Sequence, residues 1–207
     1  MRILSVLLFL VLPLKAFAGN GRAYAIFNTS TSFADNGSVN DIGARIEANM
    51  EREGYGIGGE YKFNLPFKKV SVRAGLIYEL ERQVDQLTTF VSGYEDSDGD
   101  YVSGDIESSK NNLPKIQMTT FYSNFHLEVS ENISLVGGVG YYKPKVTTKG
   151  SYDIEAGLGH QFGVDFELQD NFFIQILRRR IILNSKGGSY LGSADLSNLS
   201  LLAGKEF

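Results

Sequence analysis

The sequence predicts an all-β chain closing into an antiparallel up-and-down transmembrane β-barrel of eight strands, behind a removable N-terminal leader. Three observations carry that expectation. Apolar and polar residues alternate with period two along most of the chain, and the segments between these runs are by turns short and long. Beyond residue 18 no apolar run approaches the ~20 residues of a spanning helix, so a membrane could be crossed only by strands.

The leader is residues 1–18: Arg2 as the basic start, an apolar run from Ile3 to Leu14, and Ala16-Phe17-Ala18 as a small-residue cleavage site. Lys15 departs from the usual pattern, but the run is too short for a membrane anchor. Residues 19–207 are then one domain of 189 residues, 207 less 18. Removing Arg2 and Lys15 from the 20 basic residues leaves 18 against 24 acidic ones, a net charge near −6 that offers a nucleic acid no electrostatic footprint. Cysteine is absent, which excludes disulfides and thiolate metal sites, and 23 glycines with 25 tyrosines and phenylalanines make a β-rich composition.

The strands follow in order. Residues 23–33 come first, then Tyr55 to Phe63. From Val70 to Leu80, Val70, Val72, Ala74, Leu76, Tyr78 and Leu80 oppose Ser71, Arg73, Glu79 and Glu81. Phe121 to Val129 and Ile133 to Tyr142 come next. In Asp153 to Gln169, Ile154, Ala156, Leu158, His160, Phe162, Val164, Phe166 and Leu168 oppose Glu155, Gln161, Asp165 and Glu167. Residues 172–183 and Leu199 to Phe207 complete eight. The run of about fifteen alternating residues exceeds a globular strand and suits a tilted membrane strand.

Asn64 to Lys68, Ser130 to Asn132 and Gln169 to Asn171 are tight turns, whereas 34–53, 86–114, 149–152 and 184–194 form the opposite set, the asymmetry of short periplasmic turns and longer outer loops. With both termini on the short side the strand number is even. Ile42, Ala44, Ile46, Ala48 and Met50 alternate like a strand, yet Ile42, Ile46 and Met50 also sit at helical spacing. The segment is read as an outer-loop helix or an upward extension of the second strand, with ten strands as the alternative if a partner lies in 86–93.

The stretch Gly54-Tyr-Gly-Ile-Gly-Gly-Glu-Tyr-Lys-Phe63, a turn, and Val70-Ser-Val-Arg-Ala-Gly-Leu-Ile-Tyr78 resemble the outer-membrane β-barrel domain family that includes the OmpA/OmpX-type barrels. The glycine-aromatic style recurs in Val136 to Tyr142 and Ala156 to Phe162, so the resemblance covers most of the mature chain. It implies the bacterial outer membrane as location, with lipid and lipopolysaccharide as surroundings and a monomeric state. The chain ends on Phe207, with Leu199, Leu201 and Ala203 on the same face, as the signal read by the outer-membrane assembly machinery does. Lys205 departs from that signal and is placed to snorkel toward headgroups.

If apolar faces meet lipid, the opposite faces bring Glu60, Lys62, Arg73, Glu79, Glu128, Glu155, Asp165 and Glu167 together in a lumen that eight strands leave just wide enough for side chains. Such charges must pair, because an unpaired buried ion is strongly destabilising. The expectation is an ionic network and no open channel. In Arg178-Arg179-Arg180, period two splits the run; Arg178 and Arg180 are placed inside, with Phe173, Leu177, Ile181 and Leu183 outward. Arg179 then faces lipid at roughly 2–4 kcal/mol at the midplane, relieved by a bulge or by snorkelling; a lipopolysaccharide phosphate near the outer rim is the functional reading, and structural pairing in the interior the plainer one.

Asp96, Asp98, Asp100 and Glu107 fall at positions 1, 3, 5 and 12 of a calcium-loop pattern, but Tyr101 stands where the turn glycine belongs and Gly99 comes two residues early. A solvated acidic loop is the plainer reading, and no metal or cofactor is assigned. Of the two histidines, His126 should point inward and His160 outward, and neither heads the histidine-x-serine pair of lipid A deacylase barrels. No catalytic residue is named and no enzyme is expected. The functional expectation is a structural or surface-interaction barrel working through its outer loops, 86–114 above all. A small carrier of hydrophobic compounds and a soluble lipocalin-like barrel are the alternatives.

Overall fold

A computed structural model describes residues 20–29, 31–39, 42–50, 53–95, 101–109, 113–147, 152–187 and 190–207; the leader and Asp96 to Asp100 lie outside them. The strands are β1 (Gly21–Asn28), β2 (Thr31–Val39), β3 (Ile42–Met50), β4 (Gly54–Asn64), β5 (Val70–Gln83), β6 (Gln86–Val91), β7 (Tyr94–Glu95) and β8 (Tyr101–Val102). They continue with β9 (Asp105–Ser109), β10 (Lys115–Ser130), β11 (Ile133–Val146), β12 (Tyr152–Ile154), β13 (Gly157–Glu167), β14 (Phe172–Gly187) and β15 (Tyr190–Glu206). Strands β1, β4, β5, β10, β11, β13, β14 and β15 pair antiparallel in that order, and β15 returns to β1, from Arg22↔Glu206 to Asn28↔Ser200. The barrel therefore closes at eight, matching every expected strand.

Closure puts both described termini and the tight turns at one end. There Lys69, Asp170 and Asn171 adopt positive φ, a left-handed backbone that tight reversals demand. At the other end the chain rises into further strands. The sheet β15-β2-β3-β6-β9 continues the wall outward, and β7 and β8 form a small separate pair. Residues 42–50 are thus a strand; the helical option fails because β2 offers a ladder from Thr31↔Met50 to Val39↔Ile42, and the partner within 86–93 exists as β6. These strands prolong the hairpins and add none to the ring.

Outward, the barrel presents an apolar belt with Phe63, Leu76, Phe125, Leu135, Val139, Phe162 and Ile176 all exposed. A water-soluble lipocalin-like barrel would hide such rows inside. That belt is the surface a bilayer covers.

Inside, the inward residues of β1 show the layering: Arg22, Tyr24, Ile26 and Asn28, all essentially sealed from solvent. An ionic layer around Arg22 is followed by an apolar one of Tyr24, Ile26, Ile77, Tyr122, Leu177 and Leu202, then by a second polar layer at Asn28. Above it a larger apolar cluster fills the outer half, including Phe33, Met50, Met118, Ile181, Leu183 and Leu196. The expected ionic network is present, and two apolar clusters share the interior with it.

Inward glycines make room for the tyrosines. A Cβ on Gly58 would lie 2.4 Å from the Tyr24 ring, and one on Gly75 would meet both the Tyr122 hydroxyl and the Gly59 carbonyl oxygen at 2.6 Å. Gly75→Val should therefore lower the urea midpoint of the refolded barrel, followed by heat-modifiable gel mobility, at a cost of about 1–3 kcal/mol or more from overpacking.

Candidate functional site

At the periplasmic end Arg22 organises the interior. Its Nε donates to Glu206 at 2.7 Å, Nη1 to Asp165 at 2.7 Å and Nη2 to Glu167 at 3.0 Å, and its guanidinium lies 4.2 Å from the centre of the Phe173 ring. Arg73 donates to Glu206 at 2.9 Å, and Glu60 sits 3.6 and 3.7 Å from Arg22 and Arg73. Tyr122 donates to Glu60 at 2.7 Å, which leaves Tyr24 to donate to the Tyr122 oxygen at 2.5 Å. His126 places Nδ1 3.5 Å from Asp165. Two arginines thus neutralise four carboxylates in part, and the Tyr122 hydroxyl adds a donor to Glu60, while Glu60 Oε1, Asp165 Oδ1 and Arg73 Nε and Nη1 make no hydrogen bond among the described residues.

The second polar layer belongs to Arg179, whose side chain is fully buried. It donates to Glu79 at 2.8 Å, to Asn28 at 2.9 Å and to Asn198 at 3.2 Å, while Asn28 donates to Glu79 at 2.6 Å and Ser200 to Asn28 at 2.6 Å. This inverts the expected facing of β14. Arg179, Phe173, Leu177, Ile181 and Leu183 point inward; Arg178 and Arg180 are exposed outside. The physical reason is register: Arg179 pairs with inward-facing Gln161 on β13, and the opposite facing would leave Glu79 inside without its cation.

Of the other expected interior charges, Glu60, Arg73 and Asp165 are buried, and Glu79 is largely so. Lys62 is half-buried, while Glu167 and Glu128 stand at the periplasmic rim. Glu155 is exposed and Ile154 buried, opposite to expectation, because the pairing slips by one residue between Ile154↔Ser185 and Leu158↔Ile182. His126 is buried and His160 exposed outside, as their parity requires. Arg22 and Glu206 were not among the expected interior charges. The signal that could have found Arg22 is its parity with Tyr24 and Ile26.

The periplasmic mouth opens into a recess of about 360 Å³ whose lining includes Lys62, Lys69, Arg73, His126, Glu128 and Glu167. Both charge signs meet there, and it ends on the ionic layer. Near the outer end the wall is interrupted among the described residues. The β4–β5 ladder stops at Gly56↔Glu79 and the β3–β6 ladder begins at Asn49↔Gln86 in the same register, while Gly54 and Tyr55 do not pair with Glu81 and Leu80. Arg82 spans this seam, donating to Thr31 Oγ1 at 2.7 Å and to the carbonyl oxygens of Thr29 and Met50 at 2.8 and 2.9 Å. A cavity of about 40 Å³ lies behind it, touching Leu80, Arg82, Met118, Arg179 and Ile181.

No group of side chains suited to a metal ion occurs among the described residues. Asp96, Asp98 and Asp100 of the calcium-loop pattern lie outside them, and Glu107 is exposed on β9. At the C-terminus Leu199 and Leu201 face outward, Phe207 N–H donates to the Gly21 carbonyl at 2.9 Å, and Lys205 Nζ lies 5.1 Å from the Phe172 ring centre.

A closed eight-stranded cylinder with ion-paired layers inside and an apolar belt outside is the fold of the small OmpA/OmpX-like β-barrels of the bacterial outer membrane. No family model and no curated protein matches the chain. Among solved structures it is similar to the outer membrane protein AlkL in lipid bilayers, at 14% identity, TM-score 0.53, over 91% of this chain and 90% of that one. It is also similar to the attachment invasion locus protein Ail of Yersinia pestis, at 16% identity, TM-score 0.43, over 91% and 99%. The outer membrane protein OprG of Pseudomonas aeruginosa follows at 11% identity, TM-score 0.41, over 89% and 94%. These likenesses concern the fold.

The two outer-half arginines make opposite predictions. Arg179→Met should destabilise the barrel by about 3–5 kcal/mol, since it strands Glu79 in the interior, whereas Arg178→Met should leave the urea midpoint unchanged or higher. Equal losses would mean that both side chains serve the interior.

Proposed function

We propose that this protein is a non-enzymatic outer-membrane barrel whose role is surface interaction through the strands beyond its outer mouth. The observation that carries the reading is a filled cylinder continued by a paired sheet. Layers at Arg22, Tyr24, Ile26 and Asn28 close the lumen, while β2, β3, β6 and β9 extend the wall outward. At the end of that sheet β9 is exposed, with Ile106 at 66% of its full accessibility. An ordered edge strand with an exposed apolar side chain is a template for pairing with another chain. In planar bilayers the refolded protein should give no steady single-channel current. Replacing residues 87–109 by a short Gly/Ser turn should preserve heat-modifiable folding and abolish attachment or autoaggregation of cells displaying the barrel. Persistent attachment after the replacement would refute the role assigned to these strands.

A second reading, a carrier of hydrophobic compounds, is favoured by the seam and the apolar outer half of the lumen. Arg82 holds the seam by three hydrogen bonds, two of them to backbone carbonyls, so loosening it would connect the cluster of Met50, Met118 and Ile181 with the belt. Under this reading Arg82→Ala accelerates uptake of a nonpolar fluorescent dye into proteoliposomes, and a rate equal to that of the unsubstituted barrel counts against a lateral path.

A further inference from the structure

We propose that Arg178 and Arg180, with His160 beside them and Lys143 and Lys145 above, form a lipid-facing site for the phosphate groups of lipopolysaccharide in the outer leaflet. The outward face of β14 reads Phe172, Ile174, Ile176, Arg178, Arg180 and Ile182. Ten residues at about 3.3 Å and a tilt near 40° span about 25 Å, the height of the apolar band. Phe172, beside the periplasmic turn, marks the lower edge, so the two arginines stand about 15 and 20 Å above it, in the outer leaflet.

Two guanidiniums in that position need anions. Arg180 has one, donating from Nε and Nη2 to Asp195 at 2.9 and 2.5 Å. Arg178 has no carboxylate partner among the described residues, and its ladder neighbours Phe162 and Leu199 are exposed apolar side chains. His160 pairs across the ladder with Arg180 and is likewise exposed. On β11, two strands away, Lys143 and Lys145 follow Tyr141 on the outward face nearer the rim, Lys145 within electrostatic reach of Glu81. A ligand that neutralises Arg178 must carry acyl chains to lie against Phe162, Ile176 and Leu199, and a phosphate to accept from the guanidinium. Of the molecules surrounding an outer-membrane barrel in that leaflet, lipopolysaccharide has both. The strip rises through the belt toward the headgroups, so long basic side chains reach upward while their stems stay in hydrocarbon.

The test uses the full barrel in phosphatidylcholine nanodiscs doped with bisphosphorylated lipid A, dephosphorylated lipid A or phosphatidylglycerol, with protein-bound lipid counted by native mass spectrometry. Bisphosphorylated lipid A should be retained about tenfold more than the dephosphorylated form, and Arg178→Gln/Arg180→Gln should remove that preference. The single variant Arg178→Gln, which leaves the Arg180–Asp195 pair intact, should lose about threefold, and Arg178→Lys should stay within about twofold of the unsubstituted barrel. Heat-modifiable mobility verifies that each variant folds, as surface side chains outside the interior network should. Equal retention of dephosphorylated lipid A, or a double variant that keeps its preference, overturns the site. Retention of phosphatidylglycerol as strong as that of lipid A overturns the assignment to lipopolysaccharide and leaves a general anionic-lipid surface.

Discussion

Within hydrocarbon, every backbone N–H and C=O must find a partner in the protein itself, and for strands this is possible only if the sheet has no edge. The return of β15 to β1 is the bond that meets this demand. Once the ring is closed, each strand has a fixed inside and outside, and successive residues must be sorted between an apolar solvent and a lumen with room for little more than side chains. Facing, pairing and layering all follow from that sorting.

The lumen shows how charge is tolerated there. Arg22 and Arg179 each sit at the centre of a separate network, one near the periplasmic mouth and one midway, with hydrophobic layers between and above. Each arginine presents several donors in a planar fork, so one cation can serve carboxylates and amides from different strands. Arg22 on β1 reaches Asp165 and Glu167 on β13 and Glu206 on β15; Arg179 on β14 reaches Glu79 on β5 and Asn28 on β1. Apart from the Arg22–Glu206 bond, which crosses adjacent strands, these bonds tie together strands that are not neighbours in the ladder. The same chemistry explains the wall: where the β4–β5 ladder lapses, Arg82 supplies donors to the carbonyls of Thr29 and Met50.

Much of this was legible in the residues. Eight alternating runs, the short and long connections, the inward His126 and outward His160, and the burial of Glu60, Arg73 and Asp165 all follow from period two and the cost of exposing an ion to lipid. Reading failed where both parities of a strand are apolar. On β14, Phe173, Leu177 and Ile181 alternate with Phe172, Ile174, Ile176 and Ile182, so hydropathy cannot choose, and the arginine triplet was assigned to the wrong faces. It failed again at Ile154 and Glu155, where a one-residue slip reverses the faces without any mark in composition.

Local alternation is a property of neighbouring residues, and it determined that this chain forms long half-apolar strands, how many close the ring, and that most of their carboxylates turn away from lipid. Which arginine enters the lumen, where a ladder slips or lapses, and which carboxylate each cation meets depend on residues up to 184 positions apart, as in Arg22 and Glu206. Those choices are made by register around the closed ring, because shifting one strand by a single residue exchanges its two faces and only the partners across the barrel can tell the two arrangements apart.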